Sequence, residues 1–354
     1  MFAIRARSVT GFMALLLFPL AALAGFAEAL TAYQVRDYAT AIDESRAAAA
    51  AGDARGSFLL GVMIQNGQGV AANSGEAAAL YEKAVQGGVV GAFSKLAQLY
   101  ARGDGVAKDL AKALALARRG AQAGDPEATF FLHVLLTAGP LGYLDAAGKP
   151  DHAKYRQLAA RPVGERGSDV EARDALYWAA AKGYPLAVMS LALTLGGTVG
   201  DGNRERMLAA LAKLPGHTNQ ALKNYEQVAR HIERLGTSYT SPQLFLDSQV
   251  TQMVAGTVQT CGIRDPKSAE RAPLAELVAV AISKPVSGAA YLPSKVAGNE
   301  RAYLLAGEWE ERWTYRGCGK TADVTVRFMA DGLGGAFMTS AQKLQPGAAP
   351  ATAL

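Results

Sequence analysis

Between residues 90 and 124 the apolar side chains recur at helical spacing. Ala92, Leu96, Ala97 and Tyr100 fall at i, i+4, i+5 and i+8, which is one face of a helix. Gly103-Asp104-Gly105-Val106 interrupts the pattern, and Ala113, Leu116, Ala117 and Gly120 then build a second apolar face. Asp109 precedes this second run, where its carboxylate can accept from free backbone N–H groups, and Gly124 follows it, able to take positive φ. The spacing predicts two helices joined by a turn.

The pattern repeats at a step of 36 residues. Leu60-Gly61, Ile64, Gly67, Gly69, Val70, Asn73, Ala77 and Gly88 take the places of Leu96-Ala97, Tyr100, Gly103, Gly105, Val106, Asp109, Ala113 and Gly124. One step earlier, Asp37, Ala41 and Gly52 preserve the second half of the unit. Downstream, Ala128, Leu132, Leu136 and Gly139 begin a further copy, and a poorer one resumes through Glu171-Ala172, Gly183, Ala187, Leu191 and Leu195. Repetition decides how Gly103 and Gly105 are read. No strand precedes them, the Lys-Ser/Thr of a phosphate loop is missing, and the same spacing recurs at Gly67 and Gly69. They are turn residues, and the alanines let the helices approach closely.

These residues carry a resemblance. Leu-Gly, Gly-x-Gly-Val, the capping Asp or Asn, the helix-two alanine and the closing glycine resemble the Sel1-like repeat family, relatives of tetratricopeptide repeats. The likeness covers residues 33–214, with an insertion at about 141–167 containing a short helix near 151–160. It implies a mainly α fold, a right-handed α/α solenoid whose first helices line a concave groove. It further implies a protein or peptide partner from the envelope or the secreted fraction, on a periplasmic or secreted scaffold that is not an enzyme. Candidate groove residues are Arg55, Phe58, Val62 and Gln65, then Ser94, Gln98 and Ala101, then Glu127, Phe130 and Val134. Phe58 and Phe130 can anchor a peptide or belong to the core.

Beyond residue 214 the period is lost. Residues 217–236 and 241–262 read as amphipathic helices, and Ser268 to Ser283 as a third. Ala322, Val324, Val326 and Phe328 alternate with polar residues, as in a half-buried strand. With the preceding run through Trp309, Trp313 and Tyr315 and a short segment ending near Thr339, they predict a three-stranded antiparallel sheet within residues 215–343. The tail 344–354 is expected to be disordered.

The first 24 residues change the context. Arg5 and Arg7 precede an apolar run from Gly11 to Leu23, and Ala22-Leu23-Ala24 fits a small-x-small cleavage site, the pattern of a secretory signal peptide. The run falls short of the roughly 20 residues a membrane span requires, so no span is expected after cleavage. In an exported chain the two cysteines, Cys261 and Cys318, read as one disulfide. The formal charge of +5 loses two with the leader and includes no basic run, which excludes nucleic acid as the expected partner.

Candidate chemistry adds little. His133, His152, His217 and His231 lack metal-ligand spacing, and His133 reads as a satisfied core or groove residue. Lys320-Thr321-Ala322 is not Lys-Thr-Gly, and no Ser-Asp-Asn or Gly-x-Ser-x-Gly occurs. No catalytic residue, metal or cofactor is expected. The alternative is an envelope enzyme or a carbohydrate-binding protein using the C-terminal sheet. There Trp309, Trp313 and Tyr315 would stack on sugar rings rather than cover the core.

Overall fold

The computed structural model describes residues 20–138, 151–263 and 273–340. Most of the expected leader, the first part of the insertion, the start of the expected third C-terminal helix and the tail lie outside them. The chain divides into two compact units, residues 1–125 and 126–354.

The first unit is a series of antiparallel helix pairs: α1 (Leu20–Gln34), α2 (Tyr38–Ala50), α3 (Ala54–Asn66), α4 (Ser74–Gln86), α5 (Val90–Arg102) and α6 (Leu110–Gln122). The capping residues act as the spacing predicts. Asp37 accepts from the Thr40 amide, Asn73 from those of Gly75 and Glu76, and Asp109 from that of Lys112. Gly103 closes α5 in the left-handed conformation at φ 74°. Gly105 sits at φ 70°, and a Cβ there would lie 2.3 Å from the Gly75 nitrogen, so this turn packs backbone against backbone. Ala77, Ala92, Ala97, Ala113 and Ala117 are fully buried. At Gly61 a Cβ would fall 2.8 Å from the Tyr81 ring, which is why a small residue follows Leu60. Upstream of the first expected repeat residue, Ala29 and Ala32 of α1 are buried too, and α1 packs along α2.

The second unit contains α7 (Pro126–Ala138), α8 (His152–Ala159), α9 (Gly167–Ala181), α10 (Pro185–Gly197), α11 (Asn203–Leu211), α12 (Gln220–Leu235) and α13 (Pro242–Cys261). It ends in an antiparallel sheet of β1 (Glu276–Tyr291), β2 (Leu304–Gly317), β3 (Lys320–Ala330) and β4 (Ala336–Ser340), in that order.

The sheet corrects two expectations. It has four strands, not three, and residues 276–283, expected as the end of a helix, open β1. Leu277 to Ile282 is a short apolar run whose period fits either structure. Pairing decides it: Val280 lies opposite Trp313 and is buried there. On β2, Trp309, Glu311, Trp313 and Tyr315 face inward with Val324, Val326 and Phe328 of β3. α13 covers this face: Phe245 lies 5.0 Å from the Trp313 ring, and Gly256 leaves room for Tyr315. On the outer face, Glu310 pairs with Lys284 at 2.8 Å and Arg327 at 2.7 Å across adjacent strands. The expected disulfide is present. Cys261 at the end of α13 joins Cys318 in the β2–β3 turn, 57 residues apart in sequence, with Cα atoms 5.1 Å apart.

Candidate functional site

In the first unit, the first helix of each pair keeps a stripe of half-exposed side chains at three- and four-residue spacing. Phe58, Val62 and Gln65 form it on α3, and Lys95, Gln98 and Ala101 on α5. The stripe is held by neighbours. The Phe58 ring lies 5.9 Å from that of Tyr81 and reaches over Gly91, where a Cβ would be 3.1 Å from its tip. Gln65 accepts a 2.7 Å hydrogen bond from the Tyr81 hydroxyl. Arg55 donates to the Asp53 carboxylate at 3.0 and 2.6 Å and lies 4.6 Å from the centre of the Phe26 ring. The Arg55 guanidinium holds the Asp53 carboxyl below its ordinary range.

Ser94 departs from expectation. It is 0% exposed, and its hydroxyl donates to the Gly91 carbonyl at 3.0 Å, so it is an interior residue and Lys95 takes its place on the surface. A half-polar serine one position from the true stripe gives no signal in sequence. On α4, Glu82 accepts from the Tyr100 hydroxyl of α5 at 2.7 Å and from Lys112 of α6 at 3.1 Å. These bonds, the tyrosine's first, lower the Glu82 carboxyl.

Glu127, Phe130 and Val134 belong to α7 in the second unit. Phe130 is half-buried: its ring lies 5.6 Å from that of Tyr184 and packs against the core cluster built on α9 to α12. His133 Nδ1 lies 2.9 Å from the Ala172 carbonyl, to which it donates, and burial lowers the imidazole below its usual range. The ring is a satisfied, largely neutral histidine. Among the described residues no three His, Cys, Asp or Glu side chains come together as a metal site.

The sugar-stacking alternative fails on exposure. Trp309, Trp313 and Tyr315 are 1%, 0% and 1% exposed, so their faces meet only protein. Between the tryptophans sits Glu311, 0% exposed. It accepts from both indole N–H groups (3.2 and 3.0 Å), the Ser238 hydroxyl (2.9 Å) and the Tyr239 amide (2.8 Å). Burial raises this carboxyl above its usual range, and the hydrogen bonds oppose the rise.

A cavity of about 320 Å³ in the second unit was not foreseen. Helices α7 to α10 line it, together with Leu292, Tyr303 and Leu333. Arg161, Arg166 and Arg173 face it with a single carboxylate, Asp169. Arg161 holds Asp169 through Nη2 at 2.6 and 2.7 Å. Arg166 donates to the carbonyls of Arg161, Ala159 and Gly332. Arg173 donates Nη2 to the Pro293 carbonyl at 2.6 Å. The signal was present in sequence: aligned on the closing glycine, Arg173 stands where the regular repeats have Ala78 and Leu114.

Capped helix pairs at a fixed step, with a continuous stripe on the first helices, define a helical-repeat protein. A family profile described as Sel1 repeat matches residues 54–89 and 94–125, which are the α3–α4 and α5–α6 pairs. The chain carries Sel1 repeats in these two helix pairs. It is similar to the solved Sel1 repeat protein from Oxalobacter formigenes, at 21% identity over 66% of this chain and 87% of that one, TM-score 0.42. It is also similar to c5321, a protective antigen with an SLR fold from uropathogenic Escherichia coli. There the identity is 20% over 71% of this chain and 61% of that one, TM-score 0.39. No curated protein matches significantly.

Proposed function

We propose that this chain is an exported interaction scaffold that binds a protein or peptide on the first-helix face of its repeats. Sel1 repeat proteins are in general protein–protein interaction scaffolds. The observation that carries the reading here is the stripe of Phe58, Val62 and Gln65 on α3 beside Lys95, Gln98 and Ala101 on α5. It is half-exposed and mixes an aromatic anchor with polar groups, while Leu59, Leu60, Met63 and Ile64 of α3 and Ala92, Phe93, Leu96, Ala97 and Leu99 of α5 are buried. The disulfide, and the lack of a described helix long and apolar enough to cross a membrane, suit an exported chain.

Site-specific photo-crosslinking in the native envelope tests the reading. A crosslinker at Val62 or Gln98 should trap a discrete partner, while one at Ala111 or Ala115, exposed on α6, should not. Equal adducts at all four positions, or none, defeat the proposal.

A further inference from the structure

Arg173 is 6% exposed, yet its Nε and Nη1 have no hydrogen-bond partner among the described residues, and the same holds for Nε of Arg161. A buried guanidinium with unmade bonds costs free energy unless something accepts them. Both side chains line the 320 Å³ cavity, so the unmade donors and the empty volume belong to one place. Nearby carboxylates leave Arg173 largely unanswered: Asp169 is held by Arg161, and Asp174, 3.9 Å from Nη2, accepts from Ser294 and the Lys295 amide. His133, neutral and donating to a carbonyl, adds no charge.

Most of the remaining wall is apolar, and the hydroxyls of Thr137 and Thr194, which also line it, donate to the backbone carbonyls of His133 and Ser190. Leu158, Leu176, Leu292 and Leu333 face the same space. A hydrated inorganic anion would lose its water against these leucines without replacement, whereas a molecule with one anionic end and a hydrocarbon body matches both halves. The volume lies at the small end of ligand pockets, which are roughly 300–1,000 Å³.

We propose that this cavity binds a small organic carboxylate, its head on Arg173 and Arg161 and its apolar body against the leucines. The site is independent of the first-helix surface. The Tyr303 ring, 5.4 Å from the Arg173 guanidinium carbon, forms the floor that holds that side chain in place.

Calorimetric titration of the full chain with hexanoate, hexanamide, acetate and inorganic phosphate tests this. Hexanoate should bind with a dissociation constant of about 1 mM or tighter, the affinity its size allows. Hexanamide, lacking the charge, and acetate and phosphate, lacking the body, should each bind at least about tenfold more weakly. Arg173→Gln should weaken hexanoate at least about tenfold and leave hexanamide unchanged. If that variant fails to melt cooperatively, Arg173→Lys decides. It keeps the charge but not the paired donors, and should also weaken hexanoate at least about tenfold. No hexanoate binding at about 10 mM, hexanamide or phosphate equal to hexanoate, or a folded Arg173 variant with undiminished affinity would each overturn the proposal.

Discussion

The pairs α3–α4 and α5–α6 and the degenerate copy in α9–α10 start from one helix-pair pattern and treat polarity in opposite ways. In the regular pairs, charged groups stay at helix ends and surfaces. Asn73 and Asp109 cap the second helices, and the crossings are alanine. In the degenerate copy no side chain caps α9, and Arg173 enters the interior at the place of Ala78 and Leu114. A repeat constrained on both sides by identical neighbours leaves no interior position for charge. Where the period breaks, a side chain no longer has to serve helix packing, and the cavity chemistry sits at that break.

The largest expected effects lie where the second unit departs furthest from the repeat. Trp313→Ala removes the centre of the sheet core and two of the aromatic contacts around it. It should cost about 4 kcal/mol, read as a fall in the denaturant midpoint. A loss under about 1 kcal/mol would mean the sheet is peripheral to the unit's stability. Paired Cys261→Ser and Cys318→Ser substitutions should cost about 4 kcal/mol on chain-entropy grounds for a 57-residue loop. Reductant should reproduce that shift in the wild type and do nothing to the variant. In the regular repeats the damaging change is Gly105→Ala, at positive φ and 2.3 Å from the Gly75 nitrogen. It should cost about 2 kcal/mol. Asp109→Ala should cost about 1 kcal/mol, with Asn73→Ala similar, because both caps do one job in successive repeats. Clearly unequal costs would break the equivalence of the two pairs.

Much of the first unit was legible because its information is local and repeated. Gly103, Asp109 and Ala113 each do in space what their spacing implies. Ser94 was misplaced because helical period fixes a face only to within one position, and serine suits either side of the boundary. The second unit's errors have another source. Leu277 to Ile282 is strand only because Trp313 lies opposite Val280, a partner more than thirty positions away. Trp309 and Trp313 were rightly placed on one face, but only the covering helix α13 decides that this face is interior. Glu311 sits at the same alternation, between the two tryptophans, and was overlooked because a carboxylate at a core position looks like an interruption. Arg173 was overlooked for the converse reason: within a poor copy of the repeat, a departure from alanine reads as further decay rather than as a feature.

A last expected effect separates the units by pH. In the first unit Glu82 is held below its ordinary value, so its contribution to stability is present above the normal carboxylate range. That contribution is lost as pH falls through the lowered value. Glu311 has the opposite sign. Its folded value is raised from 4.5, so the native state holds the proton more tightly than the unfolded chain does. The stability it contributes is complete below about 4.5 and falls as pH rises through the raised value. Glu311→Gln cannot titrate. It also turns an amide nitrogen toward a ring of donors, the two indoles and the Tyr239 amide, so it should be less stable at neutral pH by about 1–3 kcal/mol. The informative quantity is the difference between wild type and variant, because every other group cancels in it. Urea unfolding from pH 4 upward should show that difference shrinking as pH rises above about 4.5. A difference that grows with pH would mean that the four donors outweigh burial and that Glu311 titrates like the carboxylates of the first unit.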